Sequence, residues 1–145
     1  MARVHKTQAF DISADEMWVL IGDFHGVHKW VAGMPVSEPL EGGALRRVPM
    51  GSGFIVERLL AEGDRSYTYA VEEGAVSLSD YRSTLSVREA AGGGCIVDWL
   101  GEFAPGDGAD EQGAVRLVDM LYSTGLAGLE KRLSSTLSPT PVNEV

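Results

Sequence analysis

Hydrophobic and polar positions along this chain change their period three times. Residues 3 to 11 (RVHKTQAFD) alternate, which predicts a first strand. The next stretch returns apolar side chains at helical spacing, with Met17, Trp18, Leu20 and Ile21 on the buried side of a helix from about Asp15 to Asp23. SADE at its head is a capping box, in which Ser13 caps the helix and Glu16 reaches back to it. After Pro35 the period falls to two in six short stretches: VSEPLEG, GALRRVPM, FIVERLLAEG, RSYTYAVEEG, DYRSTLSVREA and CIVDWLGEFAPG. The turn signals EGG, GSG, AEGD, EEG, AAGGG and PGDG punctuate them in the rhythm of an antiparallel meander. From about Glu111 to Leu133 helical spacing returns, and Val118, Tyr122, Leu126, Leu129 and Leu133 fall on one stripe.

One strand, two short helices, six strands and a long helix make an α+β domain over residues 1–133. Residues 134–145, rich in Ser, Thr and Pro, are expected to be a flexible tail. A sheet that carries one long helix curls around it and encloses space. Gly125 and Gly128 lie in that helix, where each costs about 1 kcal/mol relative to Ala, and Ala127 is small as well. Two readings stay open: room for a ligand, or close packing of helix on sheet.

Composition narrows the partners. At 145 residues the chain fits one domain with a sizeable core. Its formal charge of −9, from 12 basic and 21 acidic side chains, repels phosphate backbones and anionic lipid surfaces, so neither nucleic acid nor membrane is an expected partner. The single Cys95 has no internal disulfide partner and MARVHKTQAF lacks the apolar core of a signal peptide, so the expected location is a reducing cytoplasm. No apolar run approaches the roughly 18 residues of a membrane span.

Candidate chemistry begins with GDFHGVHKW, residues 22–30. His25 and His28 are three apart, but Gly26 and Asp23 suggest a turn, and the third histidine, His5, lies on another element. Metal sites usually need three or four ligands, so none is expected. There is no GxSxG elbow and no phosphate-cradling glycine loop before a helix, and no cofactor is expected. AGGGC reads as a hairpin turn, with Cys95 a buried or bystander thiol lacking an obvious histidine partner.

Five segments taken in order carry a resemblance: ADEMWVLIGDFHGVHKW, ALRRVPMGSGFIVERLLAEGD, SYTYAVEEGAVSLSDYRSTLSV, CIVDWLGEF and MLYSTGLAGLEKRL. Together they resemble the polyketide cyclase/dehydrase branch of the START-like (SRPBCC) superfamily, over nearly everything from Ser13 to Leu133. Plant abscisic acid receptors are similar over VERLLAEGD and SDYRSTLSV. The resemblance implies a helix-grip fold: a curved antiparallel sheet of about seven strands around the long C-terminal helix, with a deep apolar pocket between them. It also makes GDFHGVHKW a short helical connection at one end of that pocket, with Trp30 either lining the mouth or plugging the core. Hormone perception does not carry over, because KWVAGMP has Gly33 or Met34 where the receptors place an anchoring lysine, and MGSGFIV lacks their gate loop.

Strand alternation places Glu57 with Ile55 and Leu59 on one face, and Arg58 with Val56 and Leu60 on the other, without choosing between them. The resemblance favours Glu57 as the pocket carboxylate, aligns Tyr81 and Ser83 with pocket residues, and aligns Asp98 with a second carboxylate. The candidate ligand contacts are Trp30, Arg46, Glu57, Tyr81, Ser83, Asp98, Tyr122 and Gly125, with Glu57 and Tyr81 the candidate catalytic pair. Burial of a carboxyl group in an apolar pocket suits it to proton abstraction, as enolisation or aldol cyclisation of a polyketide requires. The alternative assigns Glu57 to an ion pair with Arg46 or Arg47, and Tyr81 to a hydrogen bond within the core. The expected function is binding of a small hydrophobic molecule, aromatic or polyketide-like. A cyclase or dehydratase in the same pocket is the competing reading, and a packed domain with a vestigial cavity is the third. The expected state is monomer or homodimer.

Overall fold

The computed structural model describes residues 1–31, 33–74, 78–106 and 110–137. Seven strands form one antiparallel sheet: β1 (Ala2–Phe10), β2 (Glu38–Leu40), β3 (Leu45–Met50), β4 (Gly53–Gly63), β5 (Ser66–Gly74), β6 (Leu78–Glu89) and β7 (Cys95–Pro105). Their order across the sheet is β1-β7-β6-β5-β4-β3-β2, so the chain closes by pairing its first strand with its last. Everything between is a meander of neighbours, as the spacing of the turn signals requires.

Helix α1 (Ala14–Ile21) starts at the capping box. The Ser13 hydroxyl accepts from the Glu16 backbone N–H at 3.1 Å, and Glu16 Oε1 accepts from the Ser13 backbone N–H at 3.2 Å. Met17 and Ile21 are fully buried. GDFHGVHKW is more helical than a turn: Asp23 caps a 3-10 helix over Phe24–Lys29, its carboxylate accepting from the His25 backbone N–H at 2.9 Å. Helix α1 packs on β6 and β7, and the 3-10 helix packs on α1.

Helix α2 (Glu111–Leu137) lies across β1 and β7. Its stripe faces inward as the spacing predicts, with Val118, Tyr122, Leu126 and Leu129 buried and Leu133 packed at the margin. The helix runs past Leu133 to Leu137, which corrects the start of the expected tail; residues 138–145 lie outside the described residues. Among the described residues no helix is long and apolar enough to cross a membrane.

On β7 the inward set is Cys95, Val97, Trp99, Gly101 and Phe103, all buried, while the residues between them are more exposed. On β6 it is Tyr81, Ser83, Leu85 and Val87. On β4 the alternation is broken. Ile55, Val56 and Glu57 are all buried, and the pairing with β5 shifts between Val56 and Glu57, so that Val56 faces Glu73 and Glu57 faces Val71. Such a bulge sharpens the local bend of a strand.

Candidate functional site

A cavity of about 510 Å³ lies between the sheet, the 3-10 helix and the first half of α2. Val48 of β3, Ile55 of β4, Val71 of β5 and Leu78 of β6 supply an apolar wall. Val27, Val31, Met34 and Pro35 close it from the side of the 3-10 helix, and Met120, Leu121, Tyr122 and Thr124 from α2. Gly51 sits on the rim at the β3–β4 turn with φ +60°, a conformation that glycine adopts without steric cost.

Two charged side chains line this cavity among the described residues, and they face each other. Arg46 and Glu57 are register partners on β3 and β4. The Arg46 Nε–H donates to Glu57 Oε1 at 2.7 Å, with the side chains only 4% and 9% exposed. A second Arg46 nitrogen donates to the Phe24 carbonyl at 2.6 Å, tying the sheet to the 3-10 helix. The guanidinium lies 4.2 Å from the Phe24 ring centroid and 4.9 Å from that of Tyr69, a cation held against aromatic faces. Burial works against its charge, but Glu57 and the neighbouring phenols outweigh burial and raise the Arg46 pKa. The expected ion pair at Glu57 is therefore present, with Arg46 and not Arg47 as its partner.

Above the pair stand three phenols. The Trp99 indole N–H donates to Tyr69 Oη at 3.2 Å. Tyr122 stacks on Trp99, with ring centroids 4.3 Å apart and planes 8° from parallel. Its hydroxyl meets Tyr81 Oη at 2.5 Å and Ser83 Oγ at 2.7 Å. That hydroxyl fits because β7 carries glycine opposite it: a Cβ on Gly101 would lie 2.4 Å from Tyr122 Oη. Burial pushes the Tyr69 and Tyr81 pKa values well above the ordinary phenol value and that of Tyr122 up to about 12. All three are protonated at neutral pH.

Of the residues singled out from sequence, Arg46, Glu57, Tyr81 and Tyr122 line the cavity. Four others stand elsewhere. Ser83 is wholly buried and touches the wall only through Tyr122. Trp30 is a plug, 2% exposed and packed on Trp99 at 5.4 Å. Gly125 is a packing residue: a Cβ there would come within 2.8 Å of the Trp99 ring, so close packing of helix on sheet is the reading that holds at this position. Asp98 is a correction of a different kind, since it lies on the opposite face of β7 from Val97 and Trp99. There it accepts from Arg88 at 2.8 Å and pairs with His5 at 3.1 Å. Sequence reading missed Tyr69 and Trp99, whose signal was alternation: Tyr67, Tyr69 and Val71 share a parity, as do Val97, Trp99 and Gly101. It also missed Met34, Met120 and Leu121, which lie on a loop and off the buried stripe of α2.

His25 is engaged by the backbone of another segment. Its Nε2 bonds the Gly43 carbonyl oxygen at 2.9 Å, and no group of three or more ligating side chains occurs among the described residues.

Known proteins place this architecture. The solved structure of protein XoxI from Bacillus cereus superimposes with a TM-score of 0.90 at 29% identity, covering 96% of this chain and 100% of that one. A START superfamily protein from Mycobacterium smegmatis superimposes at 0.68 and 14% identity, over 93% and 96% of the two chains. The di-domain ARO/CYC protein BexL of the BE-7585A biosynthetic pathway superimposes at 0.78 and 18% identity, over 96% of this chain and 48% of BexL. At those last two identities the likeness is one of fold. No curated protein matches the chain by sequence. The sequence model of the family described as "Polyketide cyclase / dehydrase and lipid transport" matches residues 1–134, and the chain belongs to that family.

Proposed function

We propose that the protein binds a small, neutral, hydrophobic molecule in the cavity between the sheet and α2. The observation that carries this reading is the composition of the wall. About 510 Å³ is enclosed mainly by aliphatic and aromatic side chains, and the two charges that reach it neutralise each other. A cavity of this size lies within the range of small-molecule sites. A wall without net charge gives a charged ligand no counter-ion to replace its hydration.

The same features leave a cyclase or dehydratase without an evident general base. The phenols are held protonated by burial, which suits them to donate hydrogen bonds and not to take up protons. Glu57 Oε1 is already engaged by Arg46. The hydroxyl of Ser83 and the thiol of Cys95 are sealed in the core, away from the cavity.

Thermal unfolding with a panel of uncharged aromatic ketones, lactones and hydrocarbons tests the proposal. A ligand present at a hundred times its Kd adds about 2.7 kcal/mol, which for a chain of this length is roughly 5–10 °C in Tm. Thr124→Trp, at an exposed rim position, should plug the mouth and abolish the shift. A panel that leaves the wild-type Tm unmoved, or a plugged variant that shifts as far as wild type, rejects the cavity as the binding site.

A further inference from the structure

The hydroxyl protons around the cavity decide which polar group a ligand must bring. Each hydroxyl has one proton to give and two lone pairs to receive with. Ser83 Oγ, Tyr122 Oη and Tyr81 Oη form a chain, and among the described residues the hydroxyls of Ser83 and Tyr81 have no other hydrogen-bond partner. Three proton arrangements satisfy the two contacts. If Tyr81 donates to Tyr122 and Tyr122 to Ser83, the Ser83 proton is stranded in a side chain with 0% exposure. If Tyr81 and Ser83 both donate to Tyr122, the Tyr122 proton is stranded beside the Gly101 backbone. A buried donor without an acceptor costs more than a typical hydrogen bond gains on balance. In the third arrangement Ser83 donates to Tyr122 and Tyr122 to Tyr81. The one proton left over is then on Tyr81, which lines the cavity.

Tyr69 reaches the same condition by another route. An indole N–H can only donate, so the Tyr69 oxygen accepts from Trp99 and its own proton finds no acceptor among the described residues. Tyr69 also lines the cavity, and its ring centroid is 6.3 Å from that of Tyr81. Two neighbouring phenols therefore present protons to the same space.

We infer that the ligand carries a carbonyl acceptor, as in an aromatic ketone or lactone, received by the Tyr69 and Tyr81 hydroxyls. The inference rests on the binding reading above and sharpens it. A hydrocarbon of the same shape would fill the cavity and leave both donors unanswered. A ligand placing a hydroxyl there would have a proton of its own to dispose of.

9-Fluorenone and fluorene share a skeleton and differ in one carbonyl, so their affinities read the donors separately from the apolar wall. In wild type fluorenone should bind about five- to tenfold more tightly, the factor expected of one neutral hydrogen bond, and the stretch of the bound carbonyl should fall in frequency. Tyr81→Phe and Tyr69→Phe should each lower the affinity ratio and return the stretch part of the way, with fluorene affinity changed less than about twofold. A wild-type ratio near unity overturns the inference while leaving the binding reading intact. So do phenylalanine variants that lose both probes equally, which is the mark of merely structural residues. Should one of the two variants fail to fold, the other still decides whether its own donor exists. If neither probe binds wild type, the cavity reading falls, and this inference with it.

Discussion

The two faces of one sheet solve the same electrostatic problem in opposite settings. On the concave face Arg46 and Glu57 join β3 to β4, with side chains 4% and 9% exposed. On the convex face Arg58 and Glu72 join β4 to β5, with side chains 34% and 40% exposed. The chemistry is identical and the surroundings are not. Water supports the outer pair, and either partner can be lost to solvation. The inner pair has replaced water with one carboxylate, one backbone carbonyl and the faces of Phe24 and Tyr69, so each member depends on the other. The inner pair also seals the wall of a cavity, whereas the outer pair lies along a surface.

The sharpest way to break this comparison is to neutralise each carboxylate in turn. Glu57→Gln leaves the Arg46 cation buried without its counter-charge and should cost about 3–5 kcal/mol in urea unfolding. Glu72→Gln should leave the urea midpoint within experimental scatter. Equal losses in the two variants would show that burial is not what separates the pairs. A smaller effect is expected at Gly101, which admits the Tyr122 hydroxyl to the inner face. Gly101→Ala places a methyl group against that oxygen and should cost about 1–3 kcal/mol, with loss of the Tyr81 and Ser83 contacts. A neutral outcome would mean that the stacked Trp99–Tyr122 pair moves freely.

The smallest effect belongs to the outer face and depends on pH. Partial burial tends to raise the Asp98 pKa, but hydrogen bonds from Arg88, His5 and Thr7 outweigh it and bring it below the usual carboxylate value. A depressed folded-state pKa stabilises above the unfolded value of about 3.9, and the contribution is lost as pH falls through the folded one. Wild type should therefore lose stability below about pH 4 more steeply than Asp98→Asn. Parallel acid limbs would remove Asp98 from the account.

Much of this architecture is legible in the chain itself. Alternation and helical spacing alone lay out β1, the meander from β2 to β7 and the inward stripe of α2, because burial of one face is written in every second or every third and fourth residue. Parity also separates Glu57 from Arg58 once the face of Ile55 is known. It would have placed Asp98 correctly too, opposite Val97 and Trp99, had periodicity been preferred to alignment with relatives. What periodicity lacks is distance. Trp30 and Gly125 stand as candidate ligand contacts with a packing alternative still open, because nothing in a one-dimensional pattern says that Trp99 fills the space between them. The bulge at Val56 and Glu57 is equally silent in sequence, although it bends the sheet where the cavity opens. The 3-10 helix at Phe24–Lys29 follows from the resemblance and not from spacing, where Gly26 reads as a turn; its stability comes from the Asp23 cap and from Arg46 on a distant strand.

The placement of Trp99 has an optical consequence. Of the three indoles in the chain, Trp18 lies on α1 beside Tyr67 and Trp30 is sealed behind Trp99, while Trp99 alone among them forms part of the cavity wall. A guest in the cavity touches one chromophore and leaves another as a standard within the same molecule. The test of the proposed binding can therefore be read as a change in Trp99 emission, without a label.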